Sequence, residues 1–376
     1  MKRVYIVTGF DLSNPLATSQ RINSWINKIS EAGHETVVIA PSPAKGIHEK
    51  VVGHNVRFAY HGRNLSISTN SFLAQFLRAV SLVRFLKQQL RQRGGYVQFE
   101  GGSLGGIAGF LGFSGYVLDL PDLDFARQVF ANPLLERIYR TITENLQKMG
   151  ARKAGAVLSV SLSMKNYLIE MWNVNGNKIR VVPNGYSDEQ VSRDGTCIRR
   201  GQVIYAGYIG EYIDAESLLR TAEAISPSGG TLVLAGDGPS LQYLKSEAQR
   251  RKLGNITFAG IVSLSEATRL VSESLIAVLP LRDTLHSRTC CPTKLSQYAI
   301  LAKAIVTTRV SDDALMLEAN SAAMVVGPNQ ASAFAEAVKE LLMNPTLGKT
   351  LGERACRLFE RRGWNGLAES VVTLYS

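Results

Sequence analysis

The chain predicts an α/β protein made of two doubly wound, Rossmann-like domains facing across a cleft. Three observations lead there. Its 376 residues exceed one ordinary domain. Its N-terminal segment reads strand, helix, strand, which is a parallel crossover unit. The same alternation returns after residue 200 and continues through the second half.

The opening crossover starts with an apolar strand from Arg3 to Thr8 and a polar loop from Gly9 to Ala17. A helix from about Thr18 to Ala32 follows, with Ile22, Trp25, Ile26 and Ile29 on one face. Gly33 stops it, and Glu35 to Ala40 forms the next strand. Further buried strands are expected at Tyr96 to Phe99 and Tyr116 to Leu120. Gly105 to Tyr116 is apolar but short and glycine-rich, so it reads as a buried helix rather than a membrane span. Asn70 to Gly95 is apolar at Phe72, Leu73, Phe76, Leu77, Val80, Val83, Leu86 and Leu90, with Arg78, Arg84, Lys87, Arg91 and Arg93 interleaved. Two readings stay open: a core-facing helix with a solvated basic face, or a helix that also lies on an anionic membrane.

In the second half, strands are expected at Gln202–Ala206, Thr231–Ala235, Ile256–Phe258 and Ile276–Leu279, and helices at Ala215–Ile225, Leu241–Arg251 and Leu264–Ser272. Pro183, Asn184 and Gly185 are turn formers that suit a hinge. The expected division is residues 1–184, residues 185–357, and a C-terminal segment 358–376 that crosses back to the first domain. Ligands of such folds bind at the carboxyl ends of the strands, and two facing domains put the site between them.

Apolar content of 45% is ordinary for a globular chain. The net charge of +11 is placed unevenly: residues 1–185 carry 22 Lys and Arg against 11 Asp and Glu, and residues 186–376 carry 20 of each. The first domain is therefore drawn to an anionic surface. The start, MKRVYIVTGF, enters a strand directly and shows no secretory leader. A cytoplasmic location follows as an expectation, with peripheral contact at the inner membrane face. Cys197, Cys290, Cys291 and Cys356 are too few and scattered for a disulfide framework and are read as reduced thiols. Basic charge without a nucleic-acid motif or aromatic platform argues against a nucleic-acid partner.

Pro280 to Thr308 carries the clearest chemistry. It reads as a strand end, a loop with Arg282, Arg288 and Lys294, a helix from about Thr293 to Leu301, and a strand from Ala304 to Thr307. Pro292 is expected as the first helical residue. Thr293, Lys294 and the positive helix end make a seat for a phosphate.

The chain resembles the large retaining glycosyltransferases of GT-B fold, glycosyltransferase family 4. The resemblance rests on VVPNGYSDE from Val181, VIYAGYIG from Val203, LVLAGDGPSLQYLKSEAQRRKLGNITFAGIVSLSE from Leu232, VLPLRDTLHSRTCCPTKLSQYAILAKAIVTT from Val278 and FERRGWNGLAES from Phe359. It covers the second half in order and spacing; the first half matches through its opening crossover and the turn at Gly33 to Glu35. The resemblance implies a donor site of Gly207, Tyr208, Gly236, Gly238, Ile261, Val262, Arg282, Thr293, Lys294 and Gln297, with the base against the backbone near Ile261 and Lys294 on the diphosphate. The family's paired glutamates are replaced by Thr289 and Gln297, and its diphosphate-binding arginine and lysine by Tyr208 and Ile213. Charge on the phosphates then falls to Arg282, Arg288 and Lys294.

In the first domain, VLDLPDLDFAR puts Pro121 where the family has a histidine and leaves Asp122 as the nearest match to its aspartate. Asp122, Lys294 and Arg288 are the catalytic candidates. Arg21, Glu100 and Asp119 are the acceptor candidates; helix capping is the other reading of Asp122 and Asp124, and a solvent-facing position that of Arg21. The expected activity is retaining transfer from a nucleotide-diphosphate sugar to a saccharide or lipid-linked acceptor, with no obligatory metal or cofactor. An epimerase of the same fold and a non-catalytic partner subunit are the alternatives.

Overall fold

A computed structural model describes residues 2–10, 12, 17–42, 49–52, 55–63, 72–187, 191 and 198–375. Residues 11 and 13–16 of the loop expected at Gly9 to Ala17, Asn70, Ser71, Asp188, Glu189 and Cys197 lie outside the described residues. The chain divides into two compact units. Unit 1 comprises Met1–Pro183 with Trp364–Ser376, and unit 2 comprises Asn184–Gly363. The return to unit 1 therefore comes at Trp364, not at 358, because the helix from Pro345 runs to Phe359 and a short 3-10 turn carries the chain to Arg362.

Unit 1 is built on an eight-stranded sheet. Its strands are β1 (Arg3–Thr8), β2 (Glu35–Ser42), β3 (Glu49–Val52), β4 (Val56–Arg63), β5 (Tyr96–Glu100), β6 (Val117–Leu120), β7 (Ala156–Ser159) and β8 (Ile179–Val181). Their order is β3-β4-β2-β1-β5-β6-β7-β8, with β3 alone antiparallel to its neighbour. The β3–β4 hairpin was not legible in the sequence, since all of β3 is solvent-exposed and shows no buried face. The helices are α1 (Ala17–Glu31), α2 (Phe72–Gln92), α3 (Gly102–Phe110), α4 (Pro133–Lys153) and α5 (Leu162–Glu170), joined after unit 2 by α14 (Trp364–Val372).

Helix α1 buries Ile22, Trp25, Ile26 and Ile29 against the sheet, as its period demands. The C-terminal α14 packs beside it, with Trp364 edge-on to Trp25 at 6.3 Å between ring centroids. Helix α2 turns Leu82, Val83 and Leu86 into the core and leaves Arg84, Lys87 and Arg91 exposed. Its apolar face is thus partly used within the unit, with Phe76, Val80 and Leu90 half-buried and Leu77 57% exposed. No helix among the described residues is long and apolar enough to cross a membrane. The glycine-rich α3 is a buried helix crossing α4 so closely that a Cβ on Gly106 would stand 2.0 Å from the Leu146 carbonyl oxygen.

Unit 2 is a six-stranded, wholly parallel sheet of β9 (Gln202–Ala206), β10 (Thr231–Ala235), β11 (Ile256–Gly260), β12 (Ile276–Leu279), β13 (Ala304–Thr308) and β14 (Met324–Val326). The order is β11-β10-β9-β12-β13-β14, the doubly wound arrangement that reverses direction between β9 and β12. Helices α6 (Ala215–Ile225), α7 (Leu241–Arg250), α8 (Leu264–Glu273), α9 (Leu285–Thr289), α10 (Thr293–Ile300), α11 (Asp312–Ala319), α12 (Ala331–Met343) and α13 (Pro345–Phe359) complete it. Strands β9, β10, β12 and β13 are almost fully buried, which is why they read as continuous apolar runs rather than alternating ones.

Candidate active site

In a doubly wound sheet the ligand crevice opens at the carboxyl ends of the strands, where the order reverses. In unit 2 that point lies between β9 and β12. Three loops meet there and are stitched together by backbone hydrogen bonds. After β9, Ile209 N–H donates to Asp237 O at 2.9 Å and Ser240 N–H to Ile209 O at 3.1 Å, tying the β9 and β10 loops. Asp214 N–H donates to Pro280 O at 2.9 Å and Arg282 N–H to Tyr212 O at 2.8 Å, tying the β9 and β12 loops.

The packing is tight enough to dictate glycine. Gly207 has φ of 135° and Gly236 has φ of 151°, a region that side chains disfavour. A Cβ on Gly236 would stand 1.9 Å from Gly207 O, and one on Gly207 would stand 2.1 Å from Lys294 Cε. Lys294 therefore lies directly across Gly207. Its ammonium is 5.7 Å from the centroid of the buried Tyr205 ring, within cation–π range.

Helix α10 aims that lysine. Tyr298, one turn after Lys294, is buried, and its hydroxyl accepts the Ala206 N–H at 2.9 Å. That bond pins α10 to the end of β9. Burial pushes the Tyr298 phenol up, so it stays neutral and keeps its hydrogen bond. Tyr298 was missed by sequence reasoning, although its spacing from Lys294 on one helical face was the available signal. Pro292, expected as the first helical residue, is instead the N-cap, one position before the helix starts at Thr293, and no side chain caps this end among the described residues. The proline fits because a residue at φ of −69° and ψ of 112° leaves the following turn free to start the helix.

The stretch expected to be a plain loop contains α9, capped by Thr284, whose hydroxyl accepts the Ser287 N–H at 3.1 Å. Arg288, on the last turn of α9, is exposed and forms a two-pronged pair with Asp283 at 2.5 and 2.8 Å. Its guanidinium is thus already neutralised, unlike the open cation the sequence suggested. Arg282 is exposed. Thr289 is buried, its hydroxyl donating to Leu285 O at 2.9 Å. Gln297 is also buried and donates its amide N–H to Thr268 Oγ1 at 3.3 Å. Around the rim, Tyr208 is 54% exposed with its ring 6.2 Å from that of Tyr212, and Ile261 is 82% exposed at the end of β11. Gly238 and Val262 sit in the turns that follow β10 and β11.

The cysteine beside this site is structural. Cys291 is buried and donates its S–H to Asp313 Oδ2 at 3.3 Å; the Asn184 N–H donates to its sulfur at 3.2 Å. Arg362 closes the cluster on Asp313. Burial, with the Asp313 charge adding to it, pushes the Cys291 thiol well up, so it is a donor and not a nucleophile. Asn184, the first residue of unit 2, is thereby bonded directly to Cys291, and Arg362, its penultimate residue, is linked to Cys291 through Asp313.

In unit 1 the parallel register lines up Thr8, Glu100 and Asp119 at the carboxyl ends of β1, β5 and β6. Arg21, offered by the sequence as a phosphate ligand or a solvent-facing residue, is neither open nor exposed. It is 1% exposed and clamps Asp119 with two nitrogens at 2.8 Å each, while donating to Val182 O at 3.0 Å and Pro183 O at 3.1 Å. Trp25 Nε1 gives Asp119 a further bond at 2.9 Å. Asp119 and Arg21 thus satisfy each other in the interior. Glu100 is buried beside them and takes a bond from Gln98; burial and then the Asp119 charge push its carboxyl well above the usual range.

The carboxylates within reach of solvent lie in the loop after β6. Asp122 is 26% exposed and pairs with Arg127 at 2.6 Å. Asp124 takes a bond from Gln147 Nε2 at 2.9 Å, and burial, then the Asp122 charge, pushes its carboxyl up to about 6. Neither caps the helix that follows: Asn132 does, accepting from Leu134 N at 2.9 Å and Leu135 N at 3.2 Å. No cluster of metal-binding side chains occurs among the described residues.

The fold is the GT-B fold of the glycosyltransferases, and a basic side chain, Lys294, stands at the switch point of unit 2. Residues 200–344, most of unit 2, match the family model described as Glycosyl transferases group 1. O-antigen chain mannosyltransferase C of Escherichia coli is 24% identical over 241 residues, covering 61% of this chain and 63% of that protein, just under two thirds of its length. Among solved structures, sucrose-phosphate synthase of Thermosynechococcus elongatus superposes with a TM-score of 0.77 at 15% identity, covering 100% of this chain and 98% of the other. Anabaena HepE in complex with UDP gives a TM-score of 0.68 at 14% identity, covering 99% of each chain.

Proposed function

We propose that this chain is a retaining glycosyltransferase of family 4 that moves a sugar from a nucleoside-diphosphate donor to a saccharide acceptor in glycan assembly. The observation that carries the reading is Lys294 lying across Gly207, beside the N-terminal end of α10 at the switch point of unit 2. When the glycosidic bond to the leaving group breaks, negative charge grows on the diphosphate. A fixed cation and a positive helix end are the groups that stabilise it. Exposed Ile261 and Tyr208 supply apolar surface for a base at the rim.

In unit 1, Asp122 is the carboxylate we assign to meet an acceptor hydroxyl; its partial exposure and its pairing with Arg127 support that role. The relative named for O-antigen chain mannosyl transfer supports a polysaccharide acceptor, and the UDP-bound neighbour supports a nucleoside-diphosphate leaving group. Retention, independence of metal, a cytoplasmic setting and a lipid-linked acceptor belong to the same proposal.

The test is a thermal-shift series with UDP, GDP and their sugars on the wild type and Lys294→Ala. A ligand at a hundred times its Kd stabilises the native state by about 2.7 kcal/mol. One nucleotide class should raise the melting temperature of the wild type and have little effect on the variant. An undiminished shift in Lys294→Ala removes the lysine from the site.

A further inference from the structure

Helix α4 is built inside out. The side chains it buries are Glu136, Thr143, Gln147, Gly150 and Ala151, all polar or small. Those it exposes include Leu134 at 66%, Leu135 at 50%, Ile138 at 49% and Ile142 at 39%. Leu134, Ile138 and Ile142 recur every four residues and form one stripe along the helix. Val129, in the loop before it, is 54% exposed. That loop is folded back by Glu136, whose carboxylate accepts the Val129 N–H at 3.0 Å and the Phe130 N–H at 2.9 Å. A helix that directs its apolar residues to solvent is organised to meet a second apolar phase.

The rim of the stripe is basic. Arg137 is exposed, Arg140 is 47% exposed and Arg127 is 45% exposed. Glu136 is turned inward and takes a bond from Arg140 Nε at 2.5 Å, and Asp122 is held by Arg127, so the rim's charge rests chiefly on Arg137. The excess positive charge of the chain lies in the same half. Two copies meeting through this face would bring Arg137 and its symmetry mates together, a like-charge contact. An anionic bilayer offers the opposite sign and an apolar interior.

We propose that the exposed face of α4 docks unit 1 on an anionic lipid surface. The stripe enters the headgroup–acyl boundary, and Arg137 and Arg140 lie on the phosphates. The loop that carries Asp122 and Asp124 runs straight into this helix, so docking brings the acceptor carboxylates to headgroup level. This rests on the transferase reading for its meaning, and assigns the acceptor as a lipid-linked saccharide presented at the membrane. Sequence periodicity had pointed to α2 instead, but α2 spends Leu82, Val83 and Leu86 on the core and exposes Leu77 at 57%, where α4 exposes four large apolar residues.

The experiment is co-sedimentation of the full chain with phosphatidylglycerol or phosphatidylcholine vesicles. The proteins compared are the wild type, a Leu134→Ser/Ile138→Ser/Ile142→Ser variant, Arg137→Glu, and an Arg84→Glu/Lys87→Glu/Arg91→Glu variant of α2. Wild type should pellet with anionic vesicles only. The triple serine variant should bind about tenfold or more weakly and Arg137→Glu several-fold more weakly, with α2 charge reversal the mildest. Unchanged melting temperatures and nucleoside-diphosphate shifts would show that the variants fold. Wild type remaining in the supernatant, or loss that follows α2 and spares α4, overturns the proposal. So does a dimer in sedimentation equilibrium that the serine variant dissolves, since the face would then be covered by a second copy. A vesicle-bound wild type without any nucleotide shift would sink the transferase reading and leave the docking surface standing.

Discussion

Lys294 occupies the space that any side chain on residue 207 would need: its Cε lies 2.1 Å from the position of a Cβ built on Gly207. One residue is glycine because the other crosses it. The two come from opposite sides of the switch point, Gly207 at the end of β9 and Lys294 on α10 after β12.

That relationship makes Gly207→Ala a sharp probe. The added methyl must displace the lysine and also adopt a backbone of φ 135° that costs about 1–3 kcal/mol. The variant should fold with a lowered melting temperature and lose most of its nucleoside-diphosphate shift, as Lys294→Ala does. Full retention of ligand binding would mean that the lysine's path over the glycine is incidental.

The interior pair in unit 1 makes a different prediction. Arg21 and Asp119 are 1% and 0% exposed, so removing one leaves an uncompensated buried charge. Asp119→Ala should cost about 3–5 kcal/mol, and the double change Arg21→Met/Asp119→Leu clearly less. Urea denaturation midpoints read the difference. Single and double variants of equal cost would show that the pair's charges do not compensate each other.

Asp124 gives a pH signature. Its folded carboxyl is raised from the ordinary 3.8 to about 6, chiefly by burial. Between those values the folded state holds a proton that the unfolded state has released. Its contribution to stability is therefore full below pH 3.8 and is lost as pH rises through about 6. Asp124→Asn, which cannot ionise, should match wild type at low pH and gain in melting temperature over it as pH climbs past that window. A constant difference across pH would mean that Asp124 does not titrate in this way.

The strands of unit 2 were legible because both faces of a parallel sheet are buried. Gln202–Ala206, Thr231–Ala235 and Ile276–Leu279 stand where the apolar runs put them. The helix start at Thr293 was legible too, because a proline just ahead of a helical run is a local signal. Less was readable where neighbours remote in sequence decide the outcome. Arg288 looked like a free cation until the fold of α9 set Asp283 against it. Arg21 looked like an acceptor ligand or a solvent-facing residue until the packing of α1 on the sheet set Asp119 at its tip.

Local pattern determined the strand and helix alternation, the two-domain class and the segment bearing Lys294, because backbone hydrogen bonding and side-chain periodicity are properties of short stretches. Only the tertiary structure decided which charges are spent on one another, why residue 207 has no side chain, and that α4 keeps an apolar stripe in water. Those are outcomes of contact and solvent exclusion between distant segments, and no local period encodes them.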